Sequence, residues 1–174
     1  MKQVEMNKNI KLSEHLASPS EAALSHLSEL NGLRLSPHFK LGELCKTSHQ
    51  TTDGNIPSRV VIENLRNICE NWLEDLRYRV GKSIIITSGY RSPEVNRLVG
   101  GSPLSNHLTG CAVDIRVADF EQSIRYASIL LDISDGTKRD YDELYIERNS
   151  KGNYWIHFAV RPKDNRRKTD YIQT

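Results

Sequence analysis

The stretch "SNHLTGCAVDI", residues 105–115, sets His107 seven residues ahead of Asp114, across a turn-like Thr109-Gly110 and into an apolar run. Carried on to Val117, "CAVDIRV" alternates. Cys111, Val113, Ile115 and Val117 fall on one face of a strand, and Ala112, Asp114 and Arg116 on the other. A carboxylate inside such a strand needs a partner, and the rest of the chain supplies candidates.

Downstream, "YDELYIER" (141–148) and "NYWIHFAV" (153–160) read as two further strands joined by the hairpin-like "NSKG". In the last of these, Tyr154, Ile156, Phe158 and Val160 share one face, and Trp155, His157 and Ala159 the other. Glu143, Tyr145 and Glu147 lie opposite Leu144 and Ile146. Upstream, "KSIIITSGY" (82–90) is a short β-branched run closed by Gly89. The clearest helix follows Ser58 or Asn55 as cap and Pro57 in its first turn. Val61, Leu65, Ile68, Trp72 and Leu76 recur at helical spacing, and Gly81 ends it.

Shorter helical pieces are expected near Leu41–Cys45, after Pro93, and over 119–133 with Asp119 as cap and Phe120, Ile124, Ala127 and Leu131 on one face. "SEAALSHLSELNG" carries a weaker helical signal, with Ser20 as cap, Leu24 and Leu27 on one face and Gly32 as stop. The fold class expected is α+β: a small, mainly antiparallel sheet packed against a long helix and shorter helices. Residues 1–32 read as an N-terminal extension, 33–162 as one domain, and 163–174 as a basic, unpatterned tail.

The 174 residues suffice for one domain with a real core. An apolar fraction of 37% and a charged fraction of 26% are those of a globular protein. A net charge of +2 does not point to nucleic acid, and "RPKDNRRK" lacks the aromatic interleaving of a base-stacking surface. Cys45, Cys69 and Cys111 are scattered and odd in number, which favours free thiols over a disulfide framework. The polar N-terminus has no signal-peptide core, and no stretch approaches the roughly 20 apolar residues of a membrane span. Synthesis in the cytoplasm and no membrane partner are therefore expected.

Two histidines and one carboxylate, with a position left to water, are the usual shell of a catalytic zinc. His107, Asp114 and His157 suit that role, and Glu147 or Glu143 could serve as proton carrier. Alanines beside Asp114 and His157 on their strands leave room for an ion and a substrate. Neither HExxH nor a phosphate-binding glycine loop is present. A Ser-His-Asp triad through Ser105 finds no G-x-S-x-G elbow to support it.

Ser88-Gly89-Tyr90-Arg91-Ser92, then Ser105, His107, Gly110, Ala112 and Asp114, then Trp155-Ile156-His157 follow a recognisable order. They resemble the signature of the zinc D-Ala-D-Ala carboxypeptidase family of peptidoglycan peptidases, in its phage-type branch. That family includes phage endolysins and dipeptidases and shares its fold with the hedgehog signalling domain. The resemblance runs from about Leu33 to Val160.

It implies zinc held by His107, Asp114 and His157, with Arg91 stabilising charge on the substrate carbonyl or binding its carboxylate, and Ser105 touching the substrate. Several members carry the catalytic carboxylate three residues before the last histidine, where this chain has Tyr154. The phage-type strand D-Q-L-I-x-E corresponds here to Asp142-Glu143-Leu144-Tyr145-Ile146-Glu147, so Glu147 is expected as the base, with Glu143 as second choice and as a substrate contact. The partners implied are peptidoglycan stem peptides, acted on by a monomer, in a phage-released lysin or a wall-recycling enzyme. The alternative is a zinc-stabilised domain that binds cell-wall peptides without cleaving them.

Overall fold

The computed structural model describes residues 28–174. Residues 28–32 are helical, while Ser20, Leu24 and Leu27 lie outside the described residues. The element order is α1 (Leu41–Leu44), α2 (Arg59–Ile68), a π-helical turn (Cys69–Leu73), α3 (Glu74–Val80), β1 (Ile86–Ser88), α4 (Pro93–Leu98), a 3₁₀ turn (Asn106–Thr109), β2 (Ala112–Arg116), α5 (Phe120–Thr137), β3 (Glu143–Arg148), β4 (Tyr154–Ala159) and β5 (Lys168–Gln173).

The five strands form one sheet in the order β1-β2-β4-β3-β5, antiparallel except for the parallel β3–β5 pair. The fold is thus the α+β arrangement expected. One sheet face carries Val113, Ile115, Leu144, Ile156 and Phe158 and packs on the helices; Trp72 meets Phe158 at 5.0 Å between ring centres. The other face is left for chemistry.

The long helix keeps its expected stripe, with Val61, Leu65, Ile68, Trp72 and Leu76 all buried. Ser58 caps it by accepting from the Val61 N–H. The π turn in its middle adds Cys69 and Leu73 to the buried set, which the regular spacing did not show. Asn55 has a different task from capping: its Oδ1 accepts from Ser92 N–H at 2.7 Å and its Nδ2 donates to Cys45 O at 2.7 Å, pinning the Ser88–Ser92 turn.

Three further expectations need correction. The strand at 82–90 shrinks to three residues, Ile86–Ser88, and its ladder to β2 carries a register shift between Ile86 and Ser88. The α5 helix buries Ser123, Tyr126, Ala127, Leu130, Ile133 and Ser134, while Phe120 and Ile124 remain about half exposed. Its inner face includes two serines whose hydroxyls donate to the carbonyls of Asp119 and Arg139 (2.8 and 2.6 Å), so an apolar-only pattern misplaced it. Finally, the segment read as unpatterned supplies β5, which pairs with β3 from Glu143↔Lys168 to Arg148↔Gln173. All three cysteines are free thiols.

Candidate metal centre

Strand register builds the centre. Asp114 pairs with His157 across β2 and β4, and His157 pairs with Tyr145 across β4 and β3. Glu147 pairs with Trp155, one two-residue step away on the same sheet face. His107 arrives from outside the sheet. The 3₁₀ turn that bears it is capped by Ser105 Oγ, which accepts from His107 N–H, and is closed by Gly110 at φ +70°. A Cβ at Gly110 would lie 2.8 Å from the Val61 carbonyl oxygen, so the turn seats against the long helix only with glycine there.

His107, Asp114 and His157 are buried, and their candidate ligand atoms all lie within 4.8 Å of one another. Asp114 Oδ1 stands 3.2 Å from His107 Nε2 and 3.0 Å from His157 Nδ1. A tetrahedral zinc roughly 2.0–2.1 Å from each ligand sets neighbouring ligand atoms about 3.3 Å apart, so the spacing suits the ion. The outer ring nitrogens are occupied too. His107 Nδ1 is 2.6 Å from Gly89 O, a contact in which it can only donate, which leaves Nε2 as the lone-pair atom. His157 Nε2 is 3.2 Å from Glu143 Oε2. Such outer hydrogen bonds fix the tautomer and the aim of a ligating imidazole.

Electrostatics agree. Burial alone would raise the Asp114 carboxyl, but the two imidazoles hold it far below the usual carboxylate range. Burial pushes the His157 ring down; Asp114 and Glu143, accepting on its two sides, carry it up to about 9. The space between these atoms therefore favours positive charge, which a divalent cation would supply. Glu143 is held down to about 2 by His157 first, against burial, with help from Asn106 and Arg166. Glu147 shifts the other way: burial, reinforced by Asp114, raises it above an ordinary glutamate, although His157 and Arg91 pull it back.

A cleft of about 520 Å³ opens over the group, lined among others by Arg91, Ser105, Glu147 and Trp155. Glu143 is not among its lining residues. Arg91 Nη2 donates to Asp114 Oδ2 at 2.6 Å and Arg91 Nε to Ser88 Oγ at 2.8 Å, so this guanidinium braces Asp114 while facing the cleft. The Ser105 hydroxyl caps its own turn as well as lining the cleft. Tyr154 lies on the opposite sheet face, packed beside Phe120 with ring centres 5.6 Å apart.

Sequence reasoning missed Asn106, whose Nδ2 donates to both Asp142 Oδ2 (2.8 Å) and Glu143 Oε2 (2.9 Å). It also missed the Tyr145 ring, stacked on His157 at 5.6 Å, although its strand parity already set it on the right face.

No helix among the described residues is long and apolar enough to cross a membrane. No curated protein matches the chain. Residues 37–140 match the family model described as Peptidase M15. That span holds His107 and Asp114, and the sheet delivers His157 to them from beyond it. With well over half its length matched, and a buried His-Asp-His group able to hold the ion, the chain belongs to the Peptidase M15 family and is a zinc metallopeptidase.

Proposed function

We propose that the enzyme hydrolyses a peptide bond in the stem peptide of peptidoglycan, with zinc held by His107 Nε2, Asp114 and His157 Nδ1 and with Glu147 as the general base. The observation that carries the reading is the position of Glu147. It lines the same cleft as the three ligands, one step along the sheet from His157, and it is buried enough to hold a proton more readily than an exposed glutamate.

When bound, zinc supplies Lewis acidity to the scissile carbonyl and lowers the pKa of its water toward about 7. Glu147 takes the proton from the attacking water and returns it to the leaving amine. Arg91 keeps Asp114 in place through Nη2 and, as a cleft-lining cation, serves the substrate's developing oxyanion or its carboxylate. Glu143 serves as the partner of His157 Nε2 rather than as the base, because Arg166, Asn106 and His157 already occupy its oxygens. Ser105 and Trp155 form the cleft wall against the peptide.

The test is incubation with purified muropeptides, with and without a chelator, read by mass spectrometry. Cleavage that stops on chelation and resumes with added zinc is expected, and the product masses give the bond. Muropeptides left intact by the zinc-loaded enzyme would sink the substrate assignment.

A further inference from the structure

The two outermost acceptors of the site, Asp142 and Glu143, are neighbours in the chain and meet one cation. Arg166 Nε donates to Asp142 Oδ1 at 2.7 Å, and its Nη2 donates to Asp142 Oδ2 and to Glu143 Oε1, both at 2.6 Å. Its own N–H adds a contact to Asp142 Oδ1 at 3.2 Å. Asp142 is fully buried, and its other cationic neighbour, Arg161, stands off at 3.5 Å. Arg166 therefore supplies the close positive charge for two adjacent carboxylates, one of which accepts from the ligand His157.

Arg166 lies beyond the residues matched by the family model, just ahead of β5. It is fixed there by the backbone. Arg167 N–H donates to Tyr141 O and Lys168 N–H to Asp142 O, which begins the parallel β3–β5 ladder. A guanidinium suits this place because its rigid fork can serve both oxygens of Asp142 and still reach a second carboxylate.

Resting on the zinc reading above, we propose that Arg166 is a positioning residue for the metal ligand His157. Its fork is anchored on Asp142, and from there Nη2 holds Glu143 Oε1 so that Oε2 faces His157 Nε2, which presents Nδ1 to the ion. The chain of contacts runs Arg166 to Glu143 Oε1, Glu143 Oε2 to His157 Nε2, and His157 Nδ1 to the position beside Asp114 Oδ1. Asn106, next to His107 in the chain, donates to Glu143 Oε2 as well and braces the same carboxylate from the other side.

The experiment uses the full chain and the metal itself. Zinc affinity is measured by competition with a chromogenic chelator, and Co²⁺ is substituted to record its d–d absorption. Four proteins are compared: wild type, Arg166→Ala, Arg166→Lys and Arg167→Ala. Arg166→Ala is expected to weaken zinc binding by about 10–100-fold, as loss of an outer-sphere partner does, and to alter the Co²⁺ bands. Arg166→Lys keeps the charge without the fork and is expected to fall between Arg166→Ala and wild type.

Arg167 ties the same segment to Asp135 and Asp140 without touching the site. Arg167→Ala is expected to retain wild-type zinc affinity and spectrum. Wild-type affinity and bands in Arg166→Ala would overturn the proposal, as would an equal loss in Arg167→Ala. If Arg166→Ala does not fold, wild-type affinity in Arg166→Lys overturns it. A wild-type chain that takes up neither metal would instead overturn the zinc-ligand reading on which the proposal rests.

Discussion

Gly89 O lies 2.6 Å from His107 Nδ1, and Gly89 itself sits hard against the Leu44 backbone. One residue thereby orients a candidate ligand and closes the sheet onto α1, with Tyr90 N–H donating to Leu44 O at 2.7 Å. A Cβ at position 89 would collide with the Leu44 carbonyl. Gly89→Ala is expected to lower stability by roughly 1–3 kcal/mol, as overpacking does, and to weaken zinc binding together with it. Denaturant melts and metal titration of the same preparation check both. Unchanged zinc affinity in a destabilised protein would separate the two roles.

Glu147→Gln keeps the shape of the side chain and removes the base. Turnover on muropeptide is expected to fall by about 10²–10⁴-fold, while one zinc per chain remains bound. Steady-state kinetics and metal analysis check this. Retention of the wild-type rate would pass the base role to another group.

Tyr154→Phe is the complementary control. The Tyr154 side chain lies on the helix-packing side of the sheet beside Phe120, away from the cleft. Removing its hydroxyl is expected to leave kcat unchanged. A large loss of turnover would mean that position 154 acts in the reaction after all.

Chelation should do more than stop hydrolysis. Zinc bound to the folded chain alone adds stability by mass action, about 2.7 kcal/mol when the free ion is 100-fold above its Kd. Thermal melts are expected to shift down with a chelator and up again with zinc. The shift should be much smaller in Asp114→Ala.

Asp142 gives a pH dependence with a definite sign. Burial would raise its carboxyl, but Arg166 and Asn106 hold it at about 2, against an ordinary value of 3.8. The folded pKa is depressed, so the stabilisation is complete above about pH 4 and is lost as pH falls from there toward 2. Asp142→Asn is expected to cost roughly 1–3 kcal/mol at pH 7, the range for stranding a buried hydrogen-bonding partner. That difference from wild type should shrink across the same acid window in urea melts. A difference independent of pH would show that charge at Asp142 is not what stabilises the fold.

Much of the site was legible because strand parity is a local property. Alternation gave each of three strands a face bearing Asp114, His157 or Glu147, the family signature singled these residues out, and the ladders then set the three faces on one side. The stripe from Val61 to Leu76 announced the helix behind them. Long-range electrostatic pairing was not legible. Nothing near Arg166 in the chain marks Asp142 and Glu143 as its partners. β5 is exposed along almost its whole length, so it lacks the apolar rhythm that reveals a strand, and only pairing with β3 defines it. The inner face of α5 escaped for a related reason: buried serines satisfied by carbonyls look polar in a sequence and apolar in their location.

The Asp114↔His157 pairing makes the enzyme intolerant of slippage. Displacing β4 by a single residue against β2 would swing His157 into the hydrophobic interior and thrust Ile156 or Phe158 into the cleft. Insertions should consequently be accepted in the connector at 149–153, where Asn149 Oδ1 already caps a wide bend. One added or deleted residue inside either ladder would cost the molecule its core and its chemistry at the same stroke.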